Sequence, residues 1–289
     1  MLRVILTSLV LWGILAGFPC KAGEAESRTI VATFYPIQIA VLNITVGVKG
    51  VTVVNLASSA TGCLHDYQLT PRDRAILSRA DMVVANGAGM ESFMGVLSRL
   101  KPASRIIDAS AGLEFLVSGG VTNSHVWLSP SRHIRQIRTI ADGLIAWDPV
   151  HAEAYRANAA RYEGDLKILK AKMDRELSDL RTREIITFHE AFPYFADEFR
   201  LKVSGVIERE PGTEPSAGEL AALIRLVKAS GVKSLFVEPQ YPVKAAEAIA
   251  RETGAGLYPL DPVVSGPVAT HAYLDLMERN LSQLRRALK

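Results

Sequence analysis

The chain has 289 residues, 48% hydrophobic and 22% charged, which excludes a disordered or low-complexity polymer and leaves room for two modest domains. Lys and Arg number 33 against 30 acids; removing a leader that carries Arg3 and Lys21 would leave 31 against 30, a net charge of +1, so no basic excess points to nucleic acid. The 2 cysteines are Cys20 and Cys63, and only Cys63 lies beyond the leader, so no internal disulfide is expected and the fold must rest on its core.

Residues 1–22 read as a secretory signal peptide: Arg3, an apolar run from Val4 to Phe18, then small residues up to Ala22. The run is short for a membrane span, which needs ~20 apolar residues. Cleavage is expected after Ala22. Lipid attachment at Cys20 is the weaker alternative, because Gly17-Phe18-Pro19 puts a bulky and a rigid residue before it. The expected location is periplasmic or otherwise extracytoplasmic.

The mature sequence opens with a strand, "TIVATFYP", then a mixed apolar segment and a second strand, "GVTVVNLA". "TPRDRAILSRA" starts a helix, with Thr70 as N-cap, Pro71 in the first helical position and Asp73 in the first turn. "DMVVANG" is a short buried strand, "MESFMGVLSRL" a helix and "SRIIDAS" a strand. Strands alternating with helices predict an α/β layer with a mostly parallel sheet. In "NSHVWLSPSRHIRQIRTIADGLIAW" a helix begins at Ser129-Pro130, just after His125.

Residues 148–181 change character. They begin Asp-Pro and carry Tyr155, Tyr162, Leu166, Leu169, Met173, Leu177 and Leu180 at steps of three, four or seven. A helix of about thirty residues would be ~45–50 Å long, and it reads as a stiff spine between two lobes. The competing reading is a helical hairpin broken at Gly164. The α/β rhythm then resumes: "REIITF", "LKVSGVIE", "KSLFVEP" and "AGLYPLDP" as strands, with helices over "HEAFPYFADEF", "SAGELAALIRLVKASG", "VKAAEAIARETG" and "HAYLDLMERNLSQLRRAL". Gly231 and Gly254 close two of them. The expected organisation is a signal peptide (1–22), an N-terminal α/β lobe (23–147), a linker helix (148–181) and a C-terminal α/β lobe (182–289), without an obvious sequence repeat.

His65 follows the second strand, His125 precedes a capped helix, and His189 and Asp261 each follow a strand of the second lobe. Ligands of open α/β sheets bind outside the carboxyl ends of strands. Three neutral imidazoles and a carboxylate suit a closed tetrahedral cation site, and imidazoles favour zinc over manganese. Separations of 60, 64 and 72 residues make no local motif, so the cluster requires the two lobes to face each other. On spacing alone, solvated loop histidines remain the ordinary alternative.

"HDYQLTPRDRAILSRADMVVANGAGMESFM", "HVWLSP", "TFHEAFPYFADEF", "LFVEPQY" and "LDP", in that order, resemble the zinc/manganese solute-binding receptors of bacterial ABC importers, the ZnuA-like and TroA-like group. The likeness covers nearly all of the mature chain. It implies two α/β lobes joined by one rigid helix, a divalent metal in the cleft, and a membrane permease as partner. Motif by motif, it puts the metal ligands on His65, His125, His189 and Asp261. Manganese-type members usually have Glu where His189 stands, so Zn2+ is the expected cargo and Mn2+ the alternative. Three departures stand out. The loop "EFLVSGGVTNS" is short and has no His, Leu64 replaces the acid some zinc members carry, and Asn123-Ser124 replaces Asp-Pro before the second His. The last is expected to alter the loop more than the site.

Cys63 could offer a thiolate, but with four ligands already assigned a shielded structural role is the preferred reading. Glu238 could orient a ligand imidazole or simply cap a turn. Glu190 is unassigned, its side chain being expected to point away from the site. His133, His151 and His271 are expected to be solvated, and Phe34, Tyr35 and Pro36 to line the cleft or fill the core. The expected function is an exported, monomeric, non-enzymatic receptor for zinc. A manganese or iron receptor on the same fold is the alternative. An exported metal-dependent hydrolase is disfavoured because the chain has neither HExxH nor GxSxG.

Overall fold

Apolar runs such as Met82–Ala85, with every residue buried, form strands that must be covered on both faces, as parallel sheets are. The computed structural model describes residues 27–57, 62–65, 67–208 and 214–289; the leader, its cleavage site and Cys20 lie outside them. In chain order the first half contains β1 (Arg28–Ala32), α1 (Tyr35–Thr45), β2 (Val51–Asn55), α2 (Pro71–Arg79), β3 (Met82–Ala85), α3 (Met94–Leu100) and β4 (Ile106–Asp108). A small antiparallel hairpin, β5 (Val117–Ser118) and β6 (Val121–Thr122), precedes α4 (Pro130–Trp147). After α5 (Ala152–Glu176) come β7 (Glu184–Thr187), α6 (Pro193–Phe199), β8 (Lys202–Val206), α7 (Ala217–Ser230), β9 (Ser234–Val237), α8 (Lys244–Thr253), β10 (Gly256–Pro259) and α9 (Ala272–Leu288).

The segment after β1, unassigned from sequence, is the helix α1, with 10 of its 11 residues buried. The first sheet runs β2-β1-β3-β4 and the second β10-β9-β7-β8, all pairs parallel. Each sheet has four strands with a reversal of strand order beside a central strand, which opens a crevice at the carboxyl edge. The lobes therefore share an architecture that their sequences do not advertise.

The expected helix signals are present. Thr70 and Asp73 form a capping box at α2, Ser129 Oγ accepts from Arg132 N at α4, and Gly231 and Gly254 end α7 and α8 in the left-handed region. The spine is one helix and passes unbroken through Gly164, but it is shorter than expected. Its 25 residues span ~37 Å, with a 3-10 turn at Pro149–His151 before it. That start is anchored by buried Asp148, which pairs with Arg28 and His151 and accepts from the Tyr155 hydroxyl at 2.9 Å. Tyr155, Ala159, Tyr162, Leu166, Leu169 and Met173 form the buried stripe of α5. This stripe packs with α1, α4 and α9 in one apolar core that also takes in Ile30 of β1 and Ile185 of β7.

His133 corrects the expectation of a solvated side chain. It is wholly buried on α4, stacked on Tyr273 at 4.4 Å between ring centroids, with Gln136 Oε1 3.1 Å from Nδ1. His151 is half-buried against Asp148, and His271 is exposed beside Asp275. Phe34 and Tyr35 belong to the core, Tyr35 donating its hydroxyl to Pro267 O at 2.9 Å. Among the described residues no helix is long and apolar enough to cross a membrane.

Candidate metal centre

The loop after β2 reaches the cleft through Gly62, whose φ of +77° is in the left-handed region. A Cβ there would collide with the Tyr241 hydroxyl, so glycine is needed for conformation and for space. Cys63 and His65 follow. Immediately behind them the α2 capping box is reinforced by the Tyr67 hydroxyl, which donates to Asp73 Oδ2 at 2.9 Å.

His125 comes from the loop between the β5–β6 hairpin and α4. Asn123 Oδ1 accepts from the His125 backbone N–H at 3.0 Å and lies 3.2 Å from its Nδ1. Asn86 Nδ2 donates to Ser124 O at 3.0 Å, and Asn86 N donates to Glu91 Oε1 at 2.7 Å. Burial pushes the Glu91 carboxyl up to about 7, against the pull of the N–H and hydroxyl donors around it. Directly after His125, Trp127 Nε1 donates to Pro262 O at 2.8 Å, which ties this loop to the second lobe.

His189 follows β7 and is 1% exposed. Its Nδ1 is hydrogen-bonded to Glu238 Oε1, at the end of β9. Glu238 is itself wholly buried, and its Oε2 has no hydrogen-bond partner among the described residues. Because Asn123 Oδ1 and Glu238 Oε1 can only accept, the Nδ1 atoms of His125 and His189 carry the protons. Both Nε2 lone pairs then face inward.

Those lone pairs meet. His125 Nε2 lies 3.3 Å from His65 Nε2 and 3.2 Å from His189 Nε2. Nitrogens bound ~2.0–2.1 Å from a tetrahedral zinc are separated by about 3.3 Å, so the imidazoles stand as two edges of such a shell. Burial, then the neighbouring His189 and His65, hold His125 well below the ordinary imidazole range. It is therefore neutral, as a ligand must be. The cleft outside is lined by Ser118, Val121 and Thr122 of the hairpin and by Glu190.

Of the four ligands expected from sequence, His65 and His189 each lie within hydrogen-bond reach of His125, and Asp261 makes its hydrogen bonds within its own loop and with Gln240 and Asn280. Asp261 Oδ1 accepts from Val263 N at 2.7 Å and lies 3.2 Å from Gln240 Nε2, while Asn280 brackets the Asp261 backbone at 2.8 and 2.7 Å. Next to the imidazoles stands Cys63, whose Sγ is 3.5 Å from His125 Nε2 and 3.7 Å from His189 Nε2. Cys63, His65 and His125 bring their ligand atoms within 4.8 Å of one another. Burial, then Glu238, push the Cys63 thiol well up. Asn123 was read from sequence only as a change in the loop. The signal for its role was its place two residues before a histidine, where an Asx side chain reaches the following backbone.

Residues 30–287 match the family described as zinc-uptake complex component A, periplasmic (ZnuA). The zinc-binding protein AdcA of Streptococcus pyogenes serotype M3 is 29% identical over 296 residues, which cover 90% of this chain and 56% of AdcA, so the chain spans little more than half of that relative. The high-affinity zinc uptake system protein ZnuA of Bacillus subtilis (strain 168) is 28% identical over 291 residues, 92% of this chain and 90% of that protein. The solute-binding protein FpvC of Pseudomonas aeruginosa, solved in complex with Mn2+, superposes with a TM-score of 0.82 at 32% identity, covering 91% of this chain and 98% of FpvC. With twin parallel α/β sheets, a long helix across both and imidazoles meeting at the carboxyl edges of the strands, the chain belongs to the ZnuA family of periplasmic solute-binding proteins.

Proposed function

We propose that this protein is an exported receptor that captures one zinc ion between its lobes and delivers it to the membrane permease of an ABC importer. The reading rests on the convergence of the His65, His125 and His189 Nε2 atoms, with two of the three rings held in the ligating tautomer by buried or short-range acceptors. A catalytic zinc would need an open coordination position with a general base beside it. Two carboxylates beside the site are otherwise placed: Glu238 is behind His189, and Glu190 is at the exposed rim. The receptor acts as a monomer and performs no reaction.

In this reading residues 1–22 direct export, residues 23–147 and 182–289 form the lobes, and residues 148–181 form the stiff connection. Because α5 packs into a core shared by both lobes, release proceeds by movement of the ligand loops rather than by wide hinge opening. A large rigid-body lobe rotation between metal-free and metal-loaded protein would overturn that mechanism.

The manganese complex of FpvC keeps a second reading open, a manganese receptor on the same site. Metal-stripped protein titrated with zinc and manganese in competition separates the two. One tightly held zinc per chain, not displaced by manganese, is the expected result. Preference for manganese would change the cargo, and uptake of neither metal would remove the receptor assignment.

A further inference from the structure

The fourth corner of the site has two claimants in the sequence. Asp261 follows β10 as a carboxylate, and Cys63 lies two residues before His65. We propose that the Cys63 thiolate is the fourth metal ligand, completing a shell of one thiolate and three imidazoles with His65, His125 and His189, while Asp261 remains a structural residue of its own loop. This inference rests on the metal-receptor reading above and assigns the chemistry of that same site.

The geometry carries it. In a tetrahedral zinc site with Zn–S ~2.3 Å and Zn–N ~2.0–2.1 Å, sulfur and nitrogen corners are separated by about 3.6 Å and nitrogen corners by about 3.3 Å. The sulfur-to-nitrogen distances here are 3.5 and 3.7 Å, and the nitrogen-to-nitrogen distances 3.3 and 3.2 Å. Four of the six edges of a tetrahedron with one sulfur and three nitrogen corners are thus at the required length, and closing the shell asks the Cys63–His65 loop to bring His65 toward His189.

Asp261 already has partners of its own. Its Oδ1 closes a turn onto Val263 N at 2.7 Å, and Val263 has a φ of +60°, costly for a β-branched residue unless the turn holds it. Asn280 grips the Asp261 backbone from both sides, and Trp127 grips Pro262 O.

A second observation points to a cation at the same place. Glu238 is wholly buried, with Oε2 unpartnered among the described residues, and it lies behind His189. A buried carboxylate with an unfilled oxygen is compensated when a divalent charge occupies the far side of the imidazole. On binding, the Cys63 S–H bond breaks, the proton leaves to solvent and a sulfur–metal bond forms, with no change of oxidation state. Thiolate donors favour zinc over manganese, so Cys63 also sets the choice of cargo.

The test uses Co2+ as the probe on the metal-stripped full-length mature protein. The wild-type Co2+ complex is expected to show a near-ultraviolet thiolate-to-cobalt charge-transfer band together with the strong visible absorption of a tetrahedral centre. Cys63→Ser is expected to lose that band, to weaken zinc binding by on the order of 100-fold, and to narrow the preference for zinc over manganese. Asp261→Asn is expected to keep the band and the zinc affinity. A tight wild-type Co2+ complex without the band overturns the inference and leaves the receptor reading standing, as does an Asp261→Asn protein that folds but loses zinc. A wild-type chain that takes up neither Co2+ nor Zn2+ removes both. The wild-type spectrum decides the point even if the serine variant fails to fold.

Discussion

Glu238→Gln should move the stability of the free protein and its affinity for zinc in opposite directions. The side chain is wholly buried, with Oε1 on His189 Nδ1 and Oε2 unpartnered among the described residues. Glutamine keeps the size and the acceptor for Nδ1–H but removes the charge. A carboxylate behind the imidazole sits ~6 Å from the metal, where a unit charge and a divalent cation attract by about 5 kcal/mol at an effective dielectric of 20, an upper bound. Partners behind a metal ligand usually contribute 10–100-fold in affinity, about 1.4–2.7 kcal/mol. The larger value, applied to the zinc-induced gain in stability, removes roughly 5–10 °C of melting-temperature shift at fixed zinc. The zinc-free variant should meanwhile melt at or above the wild type, because a buried, incompletely partnered carboxylate is gone. Thermal melts with and without zinc, together with competition against a chelator, measure both quantities. An unchanged zinc-induced shift would refute the role given to Glu238. So would a zinc-free variant destabilised like a core cavity.

Three further perturbations follow from named contacts. Asn123→Ala removes the acceptor that holds the His125 tautomer and should weaken zinc roughly 10–100-fold by the same chelator competition, while the loss of the His125 N–H acceptor lowers the zinc-free stability by ~1–3 kcal/mol. Burial lowers the pKa of His133 from 6.5 to about 4, so the folded state binds fewer protons than the unfolded chain between those values. That contribution is complete above pH 6.5 and is lost as pH falls toward 4, by about 3 kcal/mol. His133→Phe should flatten the acid limb by that amount in denaturant unfolding at several pH values; Glu91, raised from 4.5 to about 7, acts with the opposite sign but cancels in the comparison. Thr70→Ala should cost ~1 kcal/mol in the same unfolding assay, since it removes the hydroxyl that accepts from Asp73 N at 3.2 Å at the start of α2.

Much of this molecule was legible because its local signals agree with one another. Ile30–Ala32 and Met82–Ala85 are apolar runs bounded by turns, and both are central strands. Thr70-Pro71 and Ser129-Pro130 start helices where their chemistry says they should. His65, His125 and His189 stood out as polar residues after strands or before a capped helix. What stayed hidden depends on distances no local pattern encodes. His133 has Arg132 and Arg135 nearby in sequence and looked solvated, yet it shares a helix face with buried Gln136, Ile137 and Ile140. Asp261 was expected as the fourth ligand and Cys63 as a shielded residue, and what bears on those roles, an Asx turn onto Val263 and the course of the chain through Gly62, is a product of tertiary packing.

The placement of α5 links these observations. A lone rod between independent lobes would let the cleft open about its ends, but α5 is not alone. Tyr162 and Leu166 of its buried stripe lie in the same core as Tyr273 and Met277 of α9, the last helix of the second half, and as Ile37 and Ile44 of α1 in the first. The Tyr273 hydroxyl also donates to Trp127 O at 2.7 Å, two residues beyond His125, while Trp127 Nε1 donates to Pro262 O, one residue beyond Asp261. Wide opening would have to break this cross-lobe clasp and split a shared apolar core. Moving the Cys63–His65 loop asks for less: Gly62 supplies backbone freedom, and His65 and Cys63 are only partly buried, whereas His125 and His189 are 3% and 1% exposed. On the proposed coordination the ligands divide into a fixed pair, His125 and His189, set in the clasped walls and a movable pair, Cys63 and His65, on one loop, which makes that loop the proposed exit for the metal.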